Sequence, residues 1–240
     1  MELKNKRQPA ALNFNNNQLQ VLLTGKFGDG NLGKYTGNLN YHYQTSCIHK
    51  EYVEYKAALL GNLITDKGIS CVKNNGYKKG IIYTLNTHSS EEISKLSEES
   101  LEDSLHRMDE LGLALWVYDD GSLHKTDYFY NINTQKYSRE IQEDLFIPFL
   151  KNFDIYAKTT VENKRNGKQY WYLRVCKYQG AAEISKILNK YLVPCYDYKI
   201  WSSETIQKWS KLQEKLKSEG KDYLTMRPYS LGCMMRKISL

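Results

Sequence analysis

The stretch LGLALWVYDDGS occupies residues 111–122, and a related stretch, LLTGKFGDGN, begins at Leu22. Each is an apolar run that ends in an Asp-Gly step, Asp29-Gly30 in the first and Asp120-Gly121 in the second. A shift of the chain by 91 positions superposes these steps and further identical residues without a gap. The pairs are Leu22 with Leu113, Leu32 with Leu123, Asn40 with Asn131, Gln44 with Gln135, Leu59 with Leu150, and Asn75-Gly76 with Asn166-Gly167. Repetition of one unit predicts a pseudo-twofold molecule with two equivalent acidic centres.

Each copy is predicted to open with a helix that ends at the Asp-Gly step, because glycine commonly follows the last helical residue. Asp-Gly is also an ordinary turn pair, so the repeated context matters to the interpretation. A carboxylate is unfavourable at a helix C-terminus, which already carries the negative end of the helix dipole. Sequences keep such conflicts mainly where a cation or a reaction requires them. Asp29 and Asp120 are therefore candidate metal ligands.

A strand of alternating polarity is predicted after each of these helices. Leu39, Tyr41 and Tyr43 mark its apolar face in the first copy, and Tyr128, Tyr130 and Ile132 mark it in the second. One face would pack on helices while the other presents amides and an imidazole. The polar positions are Asn38, Asn40, His42 and Gln44 in the first copy and Asn131, Asn133 and Gln135 in the second.

The remaining elements complete an α+β unit with the order α-β-β-α-β-β-α in each copy. Helices are predicted over 51–63 and 139–153, each followed by a hairpin that turns at an Asn-Gly pair. Closing helices are predicted over 90–105 and 180–191. The predicted domains are a first repeat with an N-terminal arm, 1–87, whose closing helix continues to about residue 105; an acidic linker or helix, 88–109; a second repeat, 110–200; and a helical, basic C-terminal extension, 201–240.

The composition is that of a globular, basic chain. The 240 residues are 41% apolar and carry a net charge of +7, although the acidic window 87–110 hides a charge of +13 on the remainder. This excess favours a polyanionic partner, and the twenty tyrosines suit a sugar-phosphate surface. No apolar run reaches the roughly 20 residues of a membrane helix. The N-terminus lacks a secretory apolar segment, and five scattered cysteines without a Cys-x-x-Cys pair indicate a reduced, intracellular protein.

Several ordered segments resemble the LAGLIDADG homing endonucleases, in the branch whose second motif reads W-x-x-D-D-G-S. The segments are WVYDDGS at 116–122, NINTQKYSRE at 131–140, YWYLRVCK at 170–177, YLVPC at 191–195 and HKEYVEYK at 49–56. The resemblance covers about residues 17–200. It implies a single-chain enzyme whose two motif helices pack side by side. Each helix would place one acid at the base of a saddle-shaped antiparallel sheet that binds DNA in the major groove.

The resemblance also implies roles for individual residues. Asp29 and Asp120 would bind Mg²⁺ (or Mn²⁺), and Gln44 and Gln135 would organise water near the scissile phosphates. Lys177 would act near the phosphate in the second copy, and the 91-residue shift pairs it with Asn86. The polar strand faces would read bases, and the basic hairpin tips would hold phosphates. The candidate DNA contacts are Asn38, Asn40, His42, Lys73, Lys78, Lys79, Asn131, Asn133, Arg139, Lys164, Arg165, Lys168 and Arg174.

The first motif departs from the family pattern. The interval from Gly25 to Gly28 is one residue shorter than usual, and Lys26 stands where an apolar residue is common. Close packing of this helix is therefore expected to rely on Thr24 and Gly28, a pair of small residues four positions apart.

The resemblance implies a monomeric, Mg²⁺-dependent enzyme that cuts both strands of a specific double-stranded DNA. Such a homing endonuclease is encoded within an intron or as a free-standing mobile element. Two alternatives remain: an intron maturase on the same fold that binds host intron RNA, and a non-catalytic sequence-specific DNA-binding regulator. The expected location is intracellular, in the cytoplasm of a bacterium or phage-infected cell or in an organelle, with no membrane partner.

Overall fold

The protein is described by a computed structural model that covers residues 12–74, 80–124, 128–163, 167, 169–175, 178–223, 225–226 and 228–239. The chain divides into two compact units, Met1–Trp116 (unit 1) and Val117–Leu240 (unit 2). The division falls inside the second motif helix, a few residues beyond position 110, where the sequence analysis starts the second repeat.

Unit 1 contains the first motif helix, four strands, the connecting helices and the first part of the second motif helix. Its elements are α1 (Asn16–Phe27), β1 (Asn31–Gly33), β2 (His42–Cys47), α2 (Lys50–Leu60), a 3-10 turn (Gly61–Leu63), β3 (Ile64–Asn74), β4 (Gly80–Thr87), α3 (Glu91–Glu98), α4 (Leu101–Arg107) and the first part of α5 (Glu110–Asp120).

Unit 2 follows the same order and adds a C-terminal extension. Its elements after α5 are β5 (Gly121–His124), β6 (Phe129–Ile132), α6 (Arg139–Ile141), a π-helical turn (Gln142–Phe146), α7 (Ile147–Lys151), β7 (Ala157–Asn163), β8 (Gln169–Val175), α8 (Tyr178–Lys190), a 3-10 helix (Pro194–Lys199), α9 (Ser203–Ser218) and α10 (Pro228–Lys237).

Each unit builds one four-stranded antiparallel sheet, ordered β1-β2-β4-β3 in unit 1 and β5-β6-β8-β7 in unit 2. The predicted α+β class and the repeated α-β-β-α-β-β-α order are confirmed. None of the described helices is long and apolar enough to cross a membrane.

Side chains alternate between the two faces of each sheet. One face packs on helices and contains the fully buried Tyr43 and Leu85 in unit 1, and Tyr130 and Leu173 in unit 2. The other face is here called the open face. Because residues directly opposite each other share a face, the register assigns Gln44 and its β4 partner Asn86 to the open face of unit 1.

The alignment of the two copies by a gapless shift of 91 residues is wrong after the first strand of each unit. Asn31 and Ser122 each lie two residues beyond a motif aspartate, and they pair with Gln44 and Asn131 respectively. The structural counterpart of Gln44 is therefore Asn131 and not Gln135. The physical reason is loop length, since eight residues separate β1 from β2 but only four separate β5 from β6.

The longer loop also corrects the predicted strand of the first copy, because β2 begins only at His42. Gly37, with φ +87°, and a bond from the Asn38 N–H to the Tyr35 carbonyl (3.0 Å) close a turn before it. Leu39, expected to pack with the tyrosines, is 88% exposed. The turn lays Tyr35 flat on the His42 imidazole, with ring centroids 3.8 Å apart and planes 7° apart.

The predicted helix over 90–105 is broken into α3 and α4 at Glu99-Ser100. Ser100 has extended backbone geometry and caps α4 by accepting the Asp103 N–H, so the helix restarts here. The predicted helix over 139–153 likewise contains the π-helical turn.

The C-terminal extension belongs to the core of unit 2. Trp209 of α9 is 1% exposed, and its ring lies 5.5 Å from that of Tyr178 on α8. Trp201 contacts the same tyrosine ring at 5.9 Å. The extension contains the helices α9 and α10, and it covers α8.

We predict that Trp209→Ala lowers the free energy of unfolding by about 3–5 kcal/mol, because it leaves a large cavity between α9 and α8. Urea unfolding followed by circular dichroism measures this change. Gln207→Ala, on an exposed position of the same helix, is the control and should stay near wild type. A loss of less than about 1 kcal/mol for the tryptophan variant would mean that the extension does not stabilise unit 2.

We predict that His42 lowers the free energy of unfolding in mild acid. Burial lowers the pKa of its imidazole from 6.5, an effect that a backbone hydrogen bond with Gly33 opposes. The unfolded chain therefore binds more protons than the folded one just below pH 6.5, so the free energy of unfolding falls as the pH drops through this range. His42→Phe keeps the stack on Tyr35 but cannot titrate. Urea unfolding at about pH 7.5 and about pH 5.5 should show a smaller decrease for this variant, and equal decreases would contradict the assignment.

Candidate acidic centres and nucleic-acid interface

Asp29 follows the end of α1 and is exposed. Gly25, four residues before Asp29, and Gly30, directly after it, allow the strands to pack on the helix end. A Cβ on Gly25 would lie 2.7 Å from Leu32 Cγ, and one on Gly30 would lie 2.5 Å from Tyr43 Cε2. Any larger residue would push β1 and β2 away from the helix. These contacts place the aspartate at the point where the open face of the sheet begins.

Thr24 and Lys26, which belong to the unusual part of the first motif, both make hydrogen bonds within unit 1. Thr24 is buried, and its hydroxyl contacts the Val21 carbonyl (2.7 Å) and the Tyr43 hydroxyl (2.8 Å). Lys26 donates to the Glu99 carbonyl and to Ser104 Oγ. Burial lowers the pKa of this lysine, and the charges of Glu99 and Asp103 oppose the shift. The lysine thus connects the motif helix to the acidic segment where the predicted closing helix breaks.

Asp120 is the last residue of α5 and is half-buried. Its neighbour must be glycine, because a Cβ on Gly121 would lie 2.5 Å from the Val117 carbonyl oxygen. Lys199, which is 7% exposed, donates from Nζ to the Tyr118 carbonyl at 2.5 Å and approaches the Val117 carbonyl at 3.5 Å. A buried cation therefore offsets the negative end of this helix beside two carboxylates.

The turn after β6 lies against the second acid. The Asn133 N–H donates to the Asp120 carbonyl (2.9 Å), and the Gln135 amide donates to Asn133 Oδ1 (3.4 Å). Gln142, from the π-helical turn, holds this segment through bonds to the carbonyls of Thr134 (3.2 Å) and Tyr137 (3.2 Å). Gln135 is thus linked through Asn133 to the backbone carbonyl of Asp120, whereas Gln44 pairs across the strands with Asn31, two residues beyond Asp29.

The pKa of the Tyr137 hydroxyl is shifted by its surroundings near Asp120. Burial raises the pKa of its hydroxyl well above the ordinary value, and the nearby charge of Asp120 raises it further. The hydroxyl stays protonated and cannot add a second negative charge.

The donor set at the two helix ends fits a hard divalent cation. Each helix end supplies one carboxylate from its motif, Asp29 in unit 1 and Asp120 in unit 2. Mg²⁺ is typically bound by one or two carboxylates together with water and substrate phosphate oxygens. In the described part of the chain, no three His, Cys, Asp or Glu side chains form a metal cluster, which such a site does not require.

The open face of unit 1 carries uncharged polar groups next to the acid. Gln44 lies opposite Asn31 on one side and Asn86 on the other. Beyond them, the Ser46 and Thr84 hydroxyls contact each other at 2.8 Å.

The open face of unit 2 is basic and aromatic. Arg174 donates from Nε to Asn131 Oδ1 (3.0 Å) and from Nη2 to the Tyr172 hydroxyl (2.6 Å). Its guanidinium also lies over the Phe129 ring, 4.6 Å from the centroid. Lys158 is exposed on the neighbouring strand, directly opposite the arginine. The guanidinium is therefore held in one orientation beside a second cation.

Other predicted DNA contacts lie elsewhere. Arg139 pairs with Glu143 (2.8 Å) and stacks on Trp171 on the helix side of the sheet. Asn38 and Asn40 lie in the β1–β2 loop, where they contact Ser89 and Ser94. The register assigns Lys73 to the helix side, near the end of its hairpin. Lys78, Lys79, Lys164, Arg165, Lys168 and Lys177, with the turn residues Asn75, Gly76 and Asn166, lie outside the described residues.

The structure also corrects one pairing and adds functional candidates. Asn86 corresponds to Arg174, because each pairs with the strand residue next to the acid, and not to Lys177. Sequence reasoning missed Lys158 and Lys199. The alternation of Tyr170, Tyr172 and Arg174 signals an open face from sequence alone, but the lysine positions depend on strand register and tertiary packing.

A family model for LAGLIDADG DNA endonucleases matches residues 21–180. No curated protein sequence matches the chain significantly. Among solved structures, the homing endonuclease I-WcaI bound to its DNA recognition sequence superposes with a TM-score of 0.61 at 18% identity, over 78% of this chain and 87% of that one. Mesophilic variants of I-DmoI give 0.51 at 16% identity, over 74% and 98%. A variant of I-DmoI with its target DNA and manganese gives 0.50 at 18% identity, over 75% and 97%.

At these identities the solved structures support the fold alone, but the family model spans two thirds of the sequence and includes both acidic centres. The chain belongs to the LAGLIDADG DNA endonuclease family.

Proposed function

We propose that this endonuclease cuts both strands of one specific DNA duplex, using Mg²⁺ held by Asp29 and Asp120. The observation that carries the proposal is the repeated placement of one motif carboxylate at the start of an open sheet face. Two copies of the unit supply one hydrolytic centre for each DNA strand. The similar I-DmoI variant studied with its target DNA and manganese supports a divalent cation in this role.

The bound cation would lower the pKa of water and stabilise the charge that develops on the phosphate oxygens. The protein supplies the ligands and the surrounding order. The Asn133 bond to the Asp120 carbonyl keeps Gln135 near the acid, where its amide can orient a water molecule. Lys199 offsets the negative end of the helix, so a vacant site does not repel the substrate as strongly.

The open faces would supply affinity and sequence selection. Amides and the guanidinium are the groups that read base edges in the major groove, and cations such as Lys158 contact phosphates. The charge of +7, with its acidic part concentrated in residues 87–110, fits this use. A maturase or a non-catalytic regulator would not need both motif aspartates, and both are present.

We predict that Asp29→Asn and Asp120→Asn each lower the rate of double-strand cleavage by at least about a hundredfold, because an amide is a poor ligand for Mg²⁺. A genomic or randomised duplex library with Mg²⁺ identifies the cut sequence, and gel analysis of that duplex gives the rates. Affinity without metal should remain within about threefold of wild type.

Asp119→Asn is the matched control for these variants, because it removes an adjacent charge but not the position before the motif glycine. It should retain cleavage. An equal loss in this variant would point to a general charge effect rather than to ligation. Uncut DNA with retained binding in wild type would favour the regulator, and RNA would then be tested for the maturase.

We predict that Lys158→Ala weakens binding to the selected duplex and to unrelated duplexes by similar factors. The slope of the logarithm of affinity against the logarithm of salt concentration should become shallower by about 1, because one phosphate contact is lost. Fluorescence anisotropy across a salt series measures the slope. Lys217→Ala, on the exposed surface of α9, should leave the slope unchanged. An unchanged slope for Lys158→Ala would remove this lysine from the interface.

A further inference from the structure

The two open faces differ in chemistry row by row, although their strands pair in the same way. In the row nearest the acid, unit 1 has Gln44 opposite Asn86, and unit 2 has Asn131 opposite Arg174. Leu85 and Leu173 occupy equivalent positions in the two sheets. Three residue pairs further along the same two strands, unit 1 has Val72 opposite Ile82, and unit 2 has Glu162 opposite Tyr170. Equivalent positions therefore carry amides and alkyl groups in one unit, and charges with aromatic rings in the other.

The apolar pair of unit 1 is the most unusual feature of its face. Val72 is 64% exposed and directly opposite Ile82, and the row beside it is the hydroxyl pair Ser70 and Thr84. An aliphatic side chain exposed on a polar sheet face is expected to gain most from an apolar partner. Since the face belongs to a DNA endonuclease, the apolar group within its reach is the 5-methyl group of thymine in the major groove.

The amides of the same face suit the other base of that pair. Asn and Gln side chains bind the N6 and N7 atoms of adenine in the major groove. The Tyr35 hydroxyl donates to Asn86 Oδ1 at 3.3 Å, and this bond orients the amide. Amides near the acid and methyl-sized contacts further out both favour A·T pairs.

The face of unit 2 suits the opposite composition. The Arg174 guanidinium is held by Asn131, Tyr172 and the Phe129 ring, so little rotational freedom is lost when it binds. Arginine typically contacts O6 and N7 of guanine, and a carboxylate such as Glu162 accepts from N4 of cytosine. Both groups favour G·C pairs.

We propose that the two sheets read half-sites of opposite base composition. Unit 1 selects A·T pairs through Gln44, Asn86 and the thymine-methyl contact of Val72 and Ile82, and unit 2 selects guanine through Arg174. This inference rests on the proposed function, in which the open faces contact the DNA target.

The test uses base analogues in the duplex selected by cleavage. Replacement of thymine by uracil removes only the methyl group, and it should weaken wild-type binding about fourfold for each contacted thymine in one half-site. Replacement of guanine by 7-deazaguanine removes N7 and should weaken binding about tenfold in the other half.

Val72→Thr replaces one of the two methyl groups by a hydroxyl of similar size, so it should reduce the preference for thymine over uracil. Ile81→Thr is the matched control, because Ile81 is 50% exposed on the neighbouring position of β4 and points to the other side of the sheet. It should keep the preference. Arg174→Ala should lose sensitivity to 7-deazaguanine in the opposite half only.

Each outcome decides the inference. A selected duplex whose halves have equal composition, or wild-type binding that is insensitive to uracil at every thymine, would overturn it while leaving the endonuclease intact. The uracil test requires only the wild-type protein, so a variant that fails to fold does not block it. If no duplex is selected or bound, the proposed function itself fails, and this inference fails with it.

Discussion

One buried tyrosine on the second strand of each unit joins the sheet to the rest of the fold. Tyr43 and Tyr130 are fully buried, and both hydroxyls have partners. A buried hydroxyl without a partner would cost the full loss of its hydration. Each hydroxyl therefore fixes the second strand of its sheet against a neighbouring helix, α1 in unit 1 and α8 in unit 2.

The hydroxyl of this tyrosine has different hydrogen-bond partners in the two units. In unit 1 the partner is Thr24, on the motif helix itself, and the buried Lys56 approaches the same hydroxyl at 3.5 Å. In unit 2 the partners are Ser185 (2.7 Å) and the Lys199 carbonyl (2.6 Å), while the Lys199 ammonium covers the end of the motif helix. Lys199 therefore contacts the strand tyrosine through its backbone and the end of the motif helix through its side chain.

The requirements of cleavage and of recognition act on different parts of the repeat. Each helix end carries a carboxylate with glycine beside it, and these glycines allow neighbouring chain segments to pack close to the helix. In the recognition that we propose, the open faces contact different bases, so nothing requires them to stay alike. The two units also differ in the loop after their first strand, which has eight residues and lays Tyr35 on His42 in unit 1 but has four residues in unit 2.

The sequence by itself determined the repeated unit, the α+β order and the two Asp-Gly steps, because these depend on local periodicity and on glycines that follow helix ends. The family followed from the resemblance of several ordered segments. It did not determine the register after the first strand, since an unbroken shift of 91 positions matched Gln44 with Gln135 by identity, while hydrogen bonding matches it with Asn131. Only the tertiary structure brought Lys199 to the helix end and Lys158 opposite Arg174, because these contacts join residues far apart in the chain. Loop length and long-range packing leave no periodic pattern along a sequence, and they decide which side chains meet.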